Sequence, residues 1–351
     1  MLVNAPTSMV DPNSTGSLGG TLVPPSEIAQ PWWKSILRWA LPIAILVGLL
    51  AIAARSIDFR QFLAVLQLSD WRLVAAAGLL AVTVCMISCS VRLWLLIRPL
   101  PTPSAGIRFW SLTSVYVASC AAHHLLPAPA AEVLRTVHLK RRWGYSVGGL
   151  VAAQLVEKVI DALGLAIEIL LVAAVAQLPR NLDRALYLFG TLTAAGVLAV
   201  LFVAWRHQRR GDAAPTVTDG ARARVDGFLH RLGEGMYLLR SPRIWTVSIV
   251  CSFINDFANA ATVGLAAAAV GVPLPISSWF IVVLVARLAG LLPSTPGQFG
   301  VVEAGLVLAM GALGIQPTQA LAVAVLYHMA HFVPVTVVGL WELRRQWQEG
   351  S

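Results

Sequence analysis

Long apolar runs, separated by short polar segments, occupy most of the chain after residue 30. A helix that crosses a bilayer needs about 20 consecutive apolar residues, and several of these runs are that long. The pattern therefore indicates an all-α polytopic membrane protein built as a helical bundle. The predicted membrane-spanning helices are Ile36–Ala54, Leu73–Ile97, Ser146–Ala176, Ala185–Trp205, Ile244–Val270 and Thr318–Leu340.

Two more apolar stretches are interrupted by prolines, which remove a backbone donor and break a helix. Unpaired backbone groups are costly in hydrocarbon, so each break must be buried in protein or line a water-filled cavity. In both stretches a glutamate follows the break. The first stretch is 109–126 with Pro127, Pro129 and Glu132, and the second is 276–314 with Pro293, Pro296 and Glu303.

The charged residues exclude a water-soluble enzyme and indicate the topology. Only 12% of the 351 residues are charged, against roughly a quarter in soluble domains. The 26 basic residues outnumber the 17 acidic ones, and basic residues between apolar runs mark the cytoplasmic side. Under this rule the first broken stretch enters and leaves from the cytoplasmic face, and the second from the outer face. The sequence thus predicts two re-entrant broken-helix hairpins in an inverted repeat.

The same pattern gives the domain organisation and the location. Only three basic residues are lysine, which with abundant alanine is typical of a GC-rich bacterial genome. We expect a bacterial cytoplasmic (inner) membrane protein with both termini in the cytoplasm. The predicted segments are a disordered tail 1–30, a transmembrane domain 31–346 with halves at about 72–205 and 243–343, a basic cytoplasmic loop 206–242 and a tail 347–351.

A polar stripe lies along the long helix that follows the first hairpin. Gln154, Glu157, Asp161 and Glu168 are spaced by 3, 4 and 7 residues, which places them on one helix face. Carboxylates are expensive in lipid, so this face should turn towards the protein interior or a wet groove near Arg92, Arg135 or Lys158. An internal salt-bridge network that only fixes helix packing is the alternative.

The breaks also predict helix starts within the membrane. Thr295 is a candidate N-cap, Pro296 suits the first helical position, and Gln298 can close a capping box. Glu132 falls in the opening turn of the helix after the first break. Helix N-termini that point into the membrane suit an anion such as a lipid phosphate. Alternatively, Glu132 and Gln298 only satisfy their own helix ends.

The second half has further ionisable residues inside its apolar runs: Asp256, Arg287, His328 and His331. Asp256 and the two histidines form a candidate proton relay. A metal site that uses these histidines, Glu303 or the pair His123-His124 has no supporting ligand spacing, so we expect no metal and no cofactor.

Three runs carry the resemblance to a known family: Pro127 followed by Glu132-x-x-Arg135, then Glu157-Lys158-x-x-Asp161, then Pro293 followed by Pro296-Gly297-x-x-Gly300-x-x-Glu303. Together they resemble the flippase-like transmembrane region of the lysylphosphatidylglycerol synthases, over about residues 36–343. The resemblance implies paired re-entrant hairpins and movement of a phospholipid or another lipid amphiphile between leaflets. The aminoacyl-transferring domain of the synthases has no counterpart here, so synthase activity is not implied.

Two places depart from the family pattern. Ala130 and Ala131 stand where glycines are usual, which reduces the backbone freedom available for close approach to a headgroup. Lys158 stands where an arginine is usual, which keeps the charge but loses the bidentate fork.

We therefore expect a lipid translocase rather than an enzyme. Its partners are membrane lipids and not nucleic acid, and a homo-oligomer is compatible with the sequence. Alternatives are a membrane-embedded lipid-modifying enzyme with Glu157 or Asp161 as general base, a proton-coupled small-solute exporter, and a non-catalytic assembly partner. The predicted headgroup-binding residues are Glu132, Arg135, Glu157, Lys158, Asp161, Arg287 and Glu303, and the predicted helix breaks are at Pro127, Pro129, Pro293, Pro296, Gly297 and Gly300.

Overall fold

The protein is described by a computed structural model. Its described residues are 48, 58–102, 106–126, 130–175, 180–210, 241–292 and 295–350. Several predictions lie outside them: the tail 1–30, the span Ile36–Ala54, most of the loop 206–242, and the prolines Pro127, Pro129 and Pro293.

The described residues form helices and contain no strand, which confirms the all-α fold. The helices in chain order are α1 Phe59–Leu68, α2 Trp71–Ile97, α3 Phe109–Leu125, α4 Ala130–Trp143, α5 Val147–Val175, α6 Arg180–Arg210, α7 Pro242–Ala269, α8 Ile276–Ala289, α9 Val301–Ala312 and α10 Pro317–Gly350. Of these described helices, four are long and apolar enough to cross a membrane: α2, α6, α7 and α10.

Helix α1 has no counterpart among the predicted elements. It begins after Asp58, whose carboxylate accepts hydrogen bonds from the backbone N–H groups of Arg60 and Gln61. Asp70 caps the start of α2 in the same way, through the N–H of Arg72. Two polar caps so close together delimit a ten-residue amphipathic helix, which is too short for an apolar-run criterion to detect.

Helices α2–α5 and α7–α10 form two halves that pack in the same manner. In each half the first helix contacts the first arm of the broken pair and the last helix, and the two arms pack together. The contacts between halves are also paired, because α3 packs along α10 and α5 packs against α8. Each half has its own hydrophobic core, around Leu112 and Ile160 in one and Val263 and Val323 in the other. The likeness between halves thus extends from sequence to packing, and their opposite insertion stays a prediction.

The second break differs from its predicted form. A 3₁₀ turn occupies Pro296–Gln298, and α9 begins only at Val301. Thr295 makes no side-chain cap bond, and the Gln298 amide donates to the carbonyl of Gly290 at 3.4 Å, so the predicted Thr295–Gln298 capping box is wrong. The physical reason lies in the backbone turns. Gly297 and Gly300 have φ values of 72° and 84°, in the left-handed region that ends a helical turn.

Close packing between α3 and α10 depends on a residue without a side chain. A Cβ atom at Gly339 would lie 2.6 Å from the Val117 carbonyl oxygen and 2.6 Å from Ala121 Cβ. Because the nearest atom belongs to the backbone, the two helices would have to separate. A Cβ atom at Gly311 in α9 would have no neighbouring atom within 4 Å.

We predict that Gly339→Ala destabilises the bundle and that Gly311→Ala does not. The added methyl at Gly339 should cost about 1–3 kcal/mol as overpacking, whereas the open site should gain from alanine's higher helix propensity. Thermal unfolding of both purified variants in the same detergent tests this. Equal melting temperatures for the two variants would contradict the packing described here.

Candidate functional site

A charge-balanced ion network ties the helices of the first half together. Glu157 accepts hydrogen bonds from Arg92 at 3.0 Å and from Arg135 at 3.3 Å, and all three residues are buried. Arg92 also donates to Asp161 at 2.6 Å and to the Ser252 hydroxyl at 3.1 Å. The network joins α2, α4 and α5 and reaches α7. Two guanidinium charges meet two carboxylates, which confirms that the stripe on α5 faces the protein interior.

Arg135 is held by more than its ion pair. Its Nε donates to the Ser119 hydroxyl at 3.3 Å, and its guanidinium lies over the Tyr116 ring, 4.4 Å from the centroid. The Arg135 guanidinium is therefore held by a carboxylate, a hydroxyl and an aromatic ring of the protein.

A second ion pair lies beside this network and is more exposed. Lys158 Nζ is 3.3 Å from Glu132 Oε1, and the lysine side chain is 64% exposed. Gln154 completes the packing of α4 on α5 through a hydrogen bond of 3.0 Å to the Thr136 hydroxyl. Glu132 thus pairs with the residue that departs from the family pattern.

Arg287 belongs to a separate group between α5, α7 and α8. Its Nη1 atom donates to Asp256 Oδ1 at 2.6 Å and to Glu168. The sequence placed Glu168 on the buried stripe but gave no partner for it, and it placed Asp256 in a proton relay with the histidines. The structure instead places both carboxylates on one arginine.

A cavity of about 170 Å³ lies where the two broken segments and α10 come together. The end of α3 and the second break both contribute to its wall, since α3 also contacts the 3₁₀ turn directly. The remaining wall comes from α9 and α10. The lining residues are His123, His124, Gly297, Gln298, Val302, Tyr327, His328, His331 and Phe332.

Hydrogen bonds and stacked rings fix the imidazoles of this cavity. His328 Nδ1 is 2.6 Å from Glu303 Oε1, His331 Nε2 is 2.8 Å from Asn259 Oδ1, and His124 Nδ1 is 2.9 Å from the Thr336 hydroxyl. Phe299 stacks on the His328 ring with centroids 4.7 Å apart. The rings are thereby held in defined orientations around a small polar space.

Glu303 has a second role at the start of α9. Its other carboxylate oxygen accepts the backbone N–H of Gly300 at 2.7 Å. Glu303 therefore satisfies its own helix end, a role that the sequence suggested for Glu132 and Gln298 but not for this residue.

The two halves make equivalent links at equivalent positions. Glu132 and Glu303 are each the third residue of their helix, and their partners Lys158 and His328 each lie eleven positions after the first residue of α5 and α10. A link from the first helix to the last also recurs: Arg92 to Asp161 in one half, and Asn259 to His331 in the other. The internal repeat thus extends to individual polar contacts.

The predicted headgroup residues fall into three places rather than one. Arg135, Glu157 and Asp161 lie in the balanced network with Glu132 and Lys158 beside it, Arg287 lies in the separate group, and Glu303 lies behind the cavity wall. Two of the three predicted relay residues, His328 and His331, line the cavity. His123, His124 and Gln298 also line it, although the sequence considered the histidine pair only as metal ligands. The sequence feature that could have identified His123, His124 and Gln298 is their position next to the proline breaks.

An apolar helical bundle whose described helices include four long enough to cross a membrane, and which holds buried charge networks and a histidine-lined cavity, is a multi-pass membrane protein. Residues 39–339 match the profile of the family described as the lysylphosphatidylglycerol synthase TM region, and the chain belongs to that family. No curated protein matches the chain.

We predict that Glu157→Gln is far more damaging than Lys158→Gln. The first change leaves two buried guanidinium groups without their shared carboxylate, which should cost about 3–5 kcal/mol. The second removes one partner of an exposed pair and should cost under about 1 kcal/mol. Melting temperatures of the two purified variants measure the difference. Comparable losses would show that the buried network contributes no more than the exposed pair.

Proposed function

We propose that the protein moves a lipid amphiphile between leaflets, and that the cavity bounded by α3, the second break and α10 holds the polar headgroup. The observation that carries this proposal is the shared lining: one small polar space has walls from α3, from the second break and from α10. Irregular backbone at membrane depth is tolerated where it lines such a space. Family membership supports a role in handling lipids.

The cavity size favours a headgroup over a whole lipid. A water molecule takes about 30 Å³ in the liquid, so 170 Å³ corresponds to roughly six waters. Pockets for drug-sized ligands are larger, at about 300–1,000 Å³. A phosphate-containing headgroup fits this space, and the Nε2 atoms of His124 and His328 together with the Gln298 amide are the polar atoms offered to it.

The acyl chains would stay outside, against apolar residues at the breaks. Leu125 and Leu126 follow the lining residue His124, and both are about half exposed. Leu291 and Leu292 lie at the second break and are 67% and 54% exposed. Exposed leucines beside a polar cavity suit an amphiphile, whose head and tail need different surroundings.

The charge networks have a structural part in this proposal. Arg135 and Arg287 are already paired with carboxylates of the protein, so we assign the headgroup to the cavity residues and leave the networks to hold the helices. We also place the protein in a bacterial inner membrane with both termini cytoplasmic, because the basic loop between the halves favours that side.

Leaflet exchange of labelled phospholipids by the reconstituted full chain tests the proposal. Val302→Phe should lower the exchange rate by about tenfold or more, because the larger ring fills the cavity; tenfold is about 1.4 kcal/mol. Leu308→Phe is the matched control on the same helix, since Leu308 is 72% exposed, and it should leave the rate unchanged.

Three results bear on the proposal directly. Exchange at the unmodified rate in a folded Val302→Phe protein would overturn the assignment of the cavity. Comparing an anionic with a zwitterionic phospholipid identifies the preferred headgroup. A lipid product of altered mass would instead favour a membrane-embedded enzyme.

A further inference from the structure

The group formed by Arg287, Glu168 and Asp256 has an unbalanced charge. One guanidinium contacts two carboxylates, whereas the network around Glu157 has two guanidinium groups for two carboxylates. Glu168 and Asp256 are each 5% exposed, so water does not screen the excess. Two buried carboxylates on a single cation cannot both ionise without a large penalty.

One atom of the group lacks a partner. Glu168 Oε1 is buried and accepts no hydrogen bond from the described residues, although Oε2 of the same carboxylate contacts Arg287. A charged oxygen in this position would bear the full desolvation penalty. A proton on that oxygen removes the charge.

Among the described residues, no cation near the two carboxylates other than Arg287 is left without its own carboxylate partner. The other ionisable groups near the two carboxylates are Cys85 and Arg92 from α2, Asp161 from α5 and Tyr327 from α10. Cysteine and tyrosine side chains carry no positive charge. Arg92 is already paired with Glu157 and Asp161.

A metal cation fits the group poorly. Hard cations such as Ca²⁺ and Mg²⁺ take about six or more oxygen ligands, and a single unpartnered carboxylate oxygen is available here. Within the described part of the chain, no three His, Cys, Asp or Glu side chains are grouped so as to hold a metal ion.

We propose that Glu168 and Asp256 share one exchangeable proton, bound at Glu168 Oε1. Binding converts a carboxylate and a proton from water into a carboxylic acid, and release reverses that step, so no electron or other group is transferred. The Arg287 side chain is 31% exposed while its two partners are not, which gives the proton a route to the surface. This site goes beyond lipid movement and does not depend on it.

Infrared absorption of the full chain in lipid nanodiscs at neutral pH tests the proposal, because protonated carboxyl groups absorb apart from carboxylates. We expect a carboxylic-acid carbonyl band, separate from the amide bands of the backbone, that shifts in D₂O. Glu168→Gln should remove it. Asp256→Asn should also remove it, because the remaining Glu168 carboxylate then balances Arg287. Arg287→Gln should strengthen it towards twofold, because both carboxyls then need a proton.

Glu342→Gln is the control, because Glu342 pairs with Arg345 at 3.0 Å and should contribute nothing to the band. A spectrum without a carboxylic-acid carbonyl band that shifts in D₂O would overturn the proposal in the unmodified protein, with no variant needed. A band that persists in both Glu168→Gln and Asp256→Asn would overturn it too. A bound metal cation would be indicated instead if no such band were present, Na⁺ raised the melting temperature, and Glu168→Gln abolished that rise. That combination would also overturn the proposal.

Discussion

The need to neutralise charge away from water organises this bundle. Removing one partner of a buried ion pair is strongly destabilising, so Arg92 and Arg135 fix where α5, the helix that carries Glu157 and Asp161, can lie. One carboxylate that bridges two arginines sets the relative positions of three helices at once. Apolar packing then fills the space around it, because dispersion and burial have no comparable directional requirement.

The two halves use the same contacts with different chemistry. The first half links its elements through permanent charges, Arg92 to Asp161 and Lys158 to Glu132. The second half uses an amide and two imidazoles at the equivalent positions, Asn259 to His331 and His328 to Glu303. The equivalent links thus occupy matching positions in the two halves but use different donor groups. The cavity lies against the second half.

The sequence predicted the helices and the internal face of α5, because apolar length and helical spacing are local properties. It could not predict which cation meets which carboxylate. Glu168 and Arg287 are 119 residues apart, and only the packing of α5 against α8 brings them together. The predicted start of α9, at Pro296, was also wrong. Gly297 and Gly300 adopt positive φ values, and the preference of threonine and proline for helix starts does not indicate such a backbone turn. The breaks pointed to a water-filled cavity, but the residues that line it were not predicted, since His124 and His328 belong to different halves.

Helix α2 contains a π turn at Ala81–Cys85, between its two points of attachment. Before the turn, Gly78 lies close to Pro334 and to the carbonyl of Ala330 in α10. A π turn accommodates one residue more than an α turn, which rotates the following face by about 100°. That rotation allows one continuous rod to dock on α10 at one end and to aim Arg92 at α5 at the other. The π turn therefore acts as one inserted residue that changes which face of the helix meets each neighbour. A regular α-helix or a simple bend would leave that face unchanged.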